Sequence, residues 1–77
     1  MKQLTQEVFK NAPDWVKSAS VDCEGDLFFH GCKADDLIIS PACGWFISTN
    51  QCRSSIVDKG YDAEFWEESP IDRELSA

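Results

Sequence analysis

Fourteen acids against seven bases in 77 residues, a net charge of −7, argue against direct binding of nucleic acid or of an anionic membrane, because both require cations that displace counterions. The length leaves room for one domain (residues 1–77) and one small core, with no second lobe to wall a deep cleft. A hydrophobic content of 43% with 12% aromatics is enough for a folded domain rather than a disordered tail.

Met1 reads as the start of the chain. No basic stretch is followed by an apolar one, so no signal peptide is expected, and no run approaches the roughly 20 apolar residues of a membrane span. The expectation is a cytoplasmic protein, in the host cell cytoplasm, with its four cysteines reduced. Leu4, Val8 and Ala12 recur at helical spacing with Phe9 beside them, which predicts a short amphipathic helix over residues 1–11. Pro13 ends it, because the residue before a proline is pushed out of the α region. Trp15 and Val16 lead into a strand.

Residues 18–30 read as a β-hairpin. Ala19 and Val21 alternate with Ser18, Ser20 and Asp22, the mark of a half-buried strand. Glu24-Gly25-Asp26 is the turn, with Gly25 free to take a positive φ. Leu27 and Phe29 then share one face, and Phe28 and His30 the other, partly exposed face. Leu37-Ile38-Ile39 is too short to classify by periodicity, and Ser40-Pro41 is a breaker. Residues 44–48 and 54–58 are β-rich runs around a turn at Thr49-Asn50-Gln51, a plausible second hairpin. Asp62 is a helix cap for one or two turns over residues 63–68, with Glu64 favourably placed in the first turn. Pro70 stops that helix, Ile71 anchors the tail, and residues 72–77 fray. The predicted fold is α+β: a small antiparallel sheet of three to four strands, built from hairpins, with short N- and C-terminal helices. Trp15, Val21, Leu27, Phe29, Trp45, Ile47, Ile56 and Phe65 are the predicted core.

Little in this pattern declares a chemistry. Cys23, Cys32, Cys43 and Cys52 could bind zinc tetrahedrally. Eight residues separate the members of each pair, however, where ligand pairs usually stand two to four apart, and a buried thiol behaves as a small hydrophobe. Unliganded thiols are the leading reading and no cofactor is expected; zinc and disulfides are the alternatives. His30, the one histidine, has no recognisable orienting group or oxyanion site, so no catalytic residue is assigned. The acidic turns lack the later ligands of a calcium loop, and the scattered glycines form no phosphate loop. No enzyme is expected. Residues 58–74 are the most biased stretch, with seven acids, two bases and interleaved aromatics. Asp58, Tyr61, Asp62, Glu64, Trp66, Glu67 and Glu68 are therefore the candidate partner-binding residues, apolar anchors within an acidic rim.

Two stretches, Ala12-Pro13-Asp14-Trp15 continuing to Ala19-Ser20-Val21-Asp22-Cys23-Glu24-Gly25-Asp26, and Gly60-Tyr61-Asp62-Ala63-Glu64-Phe65-Trp66-Glu67-Glu68-Ser69-Pro70-Ile71-Asp72-Arg73-Glu74, resemble small acidic accessory proteins of tailed bacteriophages and prophages of enteric bacteria. The resemblance covers about half the chain, at its two ends, and excludes the cysteines. It implies a non-enzymatic inhibitor of a host or anti-phage defence protein. The composition adds that the partner presents a basic surface, which the acids would occupy as a nucleic-acid mimic. The alternative is a zinc-stabilised adaptor or interaction module held by the four cysteines. An exposed sheet edge in so small a domain could also pair with a second copy.

Overall fold

The structure, a computed structural model, describes residues 2–39, 45–47 and 53–74, with backbone alone at 39 and 45–47. The strands are β1 (Ser18–Val21), β2 (Leu27–His30), β3 (Leu37–Ile39), β4 (Trp45–Ile47), β5 (Ser54–Asp58) and β6 (Ile71–Asp72). Four form an antiparallel sheet in the order β5-β2-β1-β6, and β3 and β4 form a separate two-stranded ribbon.

The hairpin at the centre is the one predicted. β1 and β2 pair from Ser18↔His30 to Val21↔Leu27. Gly25 sits at φ +82°, and a Cβ there would come within 2.6 Å of the Tyr61 carbonyl oxygen. Glycine is therefore required both by conformation and by close approach. Asp22 closes the turn: its Oδ1 accepts from the amides of Glu24 (2.9 Å) and Asp26 (3.0 Å).

The second predicted hairpin does not form. β4 pairs with β3, the apolar run at residues 37–39, and β5 pairs instead with β2. A register shift lies between Leu27 and Phe28, opposite Asp58 and Ile56, so Val57 is the extra residue of a bulge.

Both predicted helices shrink to single 3-10 turns, Gln6–Phe9 and Trp66–Glu68. At the N-terminus the chain starts extended, because Lys2 bridges to Tyr61 and exchanges backbone hydrogen bonds with Gly60 and Asp62. Few residues then remain before Pro13. At the C-terminus Phe65 adopts φ −118° and ψ 41°, outside helical geometry, and Ser69 is held by β1. The tail continues into β6 rather than fraying at residue 72. The Arg73 amide donates to the Lys17 carbonyl at 2.8 Å, and its guanidinium donates to four carbonyls, those of Phe9, Ala12, Pro13 and Val16.

The core contains Phe9, Val16, Ala19, Val21, Leu27, Phe29 and Tyr61, with Leu4, Val8, Ala12, Trp15, Ala63 and Ile71 packed against it. Phe9 stacks on Phe29 with ring centroids 6.1 Å apart. Two predicted core residues lie outside it: Ile56 is 48% exposed, on an edge strand, and Phe65 is 68% exposed. The side chains of Trp45 and Ile47 fall outside the described residues. β1 is buried on both faces rather than one. Its serines are paired inside, Ser18 with the Cys32 carbonyl and Ser20 with the His30 ring, so hydroxyls that looked solvent-facing are satisfied within the protein.

Candidate functional site

The β1–β2 turn is covered by the segment of residues 61–69. At one end the Tyr61 amide donates to the Gly25 carbonyl at 3.0 Å. At the other, Ser69 Oγ accepts from the Val21 amide (2.9 Å) and donates to the Val21 carbonyl (3.0 Å). These contacts put Asp62, Glu64, Glu67 and Glu68 at the same end of the sheet as Asp22, Glu24 and Asp26. Asp58 joins them, because it pairs with Leu27 at the turn end of β2. Eight of the fourteen acids and only two of the seven bases, Lys2 and Lys59, are thereby gathered at one end.

Several of these carboxylates are held in place. Asp58 Oδ2 accepts from Lys2 Nζ at 2.7 Å. That bond, then the Lys59 amide, holds the Asp58 carboxyl below the ordinary carboxylate range. Asp62 accepts from the Glu64 amide (3.0 Å) and from Gln3 Nε2 (3.1 Å), and these two bonds, the amide first, lower its pKa likewise. Both therefore stay ionised well below neutral pH. The carboxylates of Asp22, Glu24 and Asp26 converge within 4.8 Å, an arrangement that the Asx turn at Asp22 accounts for. Glu24, Glu64, Glu67 and Glu68 are exposed.

The candidate partner-binding residues divide under this geometry. Asp58, Asp62, Glu64, Glu67 and Glu68 come together. Trp66 is half-buried. Tyr61 is no exposed anchor: it is 9% exposed in the core, with Lys2 Nζ 5.5 Å from its ring centroid. Among the described residues the aromatic that faces outward is Phe65, between Glu64 and Glu67. The turn acids also belong to this end, which the sequence leaves open because it does not say where the turn folds.

Lys17, Lys33, Arg53 and Arg73 lie at the opposite end. The Lys17 amide donates to the His30 carbonyl, and the Gly31 amide to the Arg53 carbonyl, placing both cations at the open end of the hairpin. Arg53 lies over the Trp15 ring, 4.2 Å from its centroid. A groove of about 530 Å³ here is lined by Lys17, Lys33 and Arg73 together with Asp14, Asp72, Glu74 and Val16, a mixture that selects neither sign of charge.

Cys23 is exposed and disulfide-bonded, which departs from the expectation of four reduced thiols and removes its sulfur from a four-thiolate zinc set in this state. Cys32 is buried. Cys43 and Cys52 lie outside the described residues. His30, expected to be partly exposed, is wholly buried. Its Nε2 lies 2.8 Å from Ser20 Oγ and its Nδ1 2.7 Å from Ser54 Oγ. Burial pushes its pKa down to about 4, which makes it a weak base at neutral pH.

No family model matches this chain, and no curated protein or solved structure is similar to it. Its function has to be read from the charge and geometry of the molecule itself.

Proposed function

We propose that the protein is a non-enzymatic, phage-encoded inhibitor that binds a basic surface on a host or anti-phage defence protein, where its acidic end takes the place of nucleic-acid phosphates. The observation that carries this reading is the pair of contacts, Tyr61 to Gly25 and Ser69 to Val21, that draw the turn acids and the 61–69 acids to one end. Duplex DNA carries about one charge per 1.7 Å of axis, so a mimic must cluster its carboxylates rather than spread them. The resemblance of both chain ends to phage accessory proteins supports the source, and the exposed Phe65 supplies an apolar contact beside the charges.

The test is competition. With a nucleic-acid-binding defence protein as partner, the protein should displace its DNA or RNA, and raising salt from about 50 to 200 mM should slow association markedly. Replacing Glu64, Glu67 and Glu68 together by Lys should abolish displacement while the melting temperature stays within a few degrees. A complex that forms with nucleic acid still bound, indifferent to salt, would overturn the mimic.

A further inference from the structure

His30 takes no part in the proposed function, and its surroundings are specific. His30 is on β2, 0% exposed, and its ring bridges the two strands that flank β2. Nε2 meets Ser20 Oγ of β1, and Nδ1 meets Ser54 Oγ of β5. A neutral imidazole has one N–H and one acceptor nitrogen, and a serine hydroxyl serves as either partner. The neutral ring is therefore satisfied in both tautomers.

An imidazolium could still donate to both oxygens, but it would bring a charge into a site where, among the described residues, no carboxylate contacts the ring. On β1 the groups facing it are the neutral Ser18 and Ser20. On β2 the Phe28 ring stacks beside it, centroids 6.4 Å apart, and Gly31 follows. On β5 Ser54 is preceded by Arg53, a cation, and a second cation, Lys17, donates its amide to the His30 carbonyl. The carboxylate of the next strand over, Asp72 on β6, stands opposite Ser18 and accepts from the Ala34 amide at 2.7 Å.

The strands around this ring are not equally held. β1 and β2 each have a neighbour on both sides, whereas β5 lies at an edge and joins the four-stranded sheet through β2 alone. All of β5 but Ser55 is exposed, and the bulge at Val57 interrupts its pairing. Peeling β5 away is the least costly way to bring water to the ring.

We propose that His30 is an acid-operated latch on the edge strand: its protonation releases β5 from β2 while β6, β1 and β2 stay paired. The ring is held neutral in the closed sheet, with a pKa near 4, and regains the ordinary value of about 6.5 once hydrated. The sign follows from linkage. The open form binds the extra proton, so opening is favoured as pH falls through that window.

The experiment is amide exchange of β5 followed by NMR on the full chain between pH 7 and 3.5, corrected for intrinsic exchange, alongside titration of the His30 ring. The opening constant of the β5 amides should rise about tenfold per pH unit between 6.5 and 4, while the β1–β2 and β1–β6 amides keep their protection. In His30→Gln, which cannot titrate, the β5 opening constant should stay flat. A flat profile in the parent protein, an equal rise in His30→Gln, or loss of all four strands together would overturn the latch. Should His30→Gln fail to fold, coincidence of the ring titration with β5 opening in the parent decides the matter alone.

Discussion

Gly25 and Gly60 share the same backbone angle, φ +82°, but not the same surroundings. A Cβ at Gly60 would meet nothing within 4 Å, whereas at Gly25 it would strike the Tyr61 carbonyl at 2.6 Å. Gly60→Ala should therefore cost only the left-handed backbone penalty, about 1–2 kcal/mol. Gly25→Ala should cost at least about twice that, because it also pushes the 61–69 segment off the turn. Urea denaturation of the two variants checks the difference, and equal losses would show that the Tyr61–Gly25 contact does not hold the acidic end together. A second residue-scale prediction concerns Cys23. A disulfide consumes two thiols, so Ellman titration of the denatured chain without reductant should find no more than two. Four would return the cysteines to the reduced state first expected and reopen the zinc reading, for which a chelator should then lower the melting temperature.

At the scale of elements, the central hairpin was legible because three local signals agree: alternation in β1, a glycine turn, and alternation in β2. The turn's anchoring was not, since it depends on Tyr61 and Ser69, some 36 to 48 residues further along the chain. The N-terminal apolar spacing is real, and Phe9 is buried as part of it. A helix still does not form, because Lys2 is drawn into pairing with residues 60–62, which no local pattern announces. The apolar residues of β5 predict a strand but do not encode that its neighbour is β2 rather than β4. The apolar character of Phe65 points to the core, but nothing local reveals that its side chain turns outward. His30 departs from expectation for the opposite reason: a polar side chain goes inside when the strands on both sides, β1 through Ser20 and β5 through Ser54, supply its partners, and the β5 neighbour is not legible locally.

At the scale of the whole molecule, the −7 charge is unevenly distributed. Carboxylates collect at the turn end of the sheet, and the end bearing Lys17, Lys33, Arg53 and Arg73 is close to balanced. The composition gives the total and the bias of residues 58–74, but only the packing of the 61–69 segment on the hairpin gives the polarity. That polarity can be tested without knowing the partner. A short oligolysine peptide is titrated into labelled protein at low salt, and amide shifts are mapped along the chain. Shifts should concentrate at Glu24, Asp26, Asp62, Glu64, Glu67 and Glu68, fading by about 200 mM salt as the screening length falls to about 7 Å. Shifts spread evenly over the acids, or centred on Asp35, Asp36 and Glu74, would contradict it.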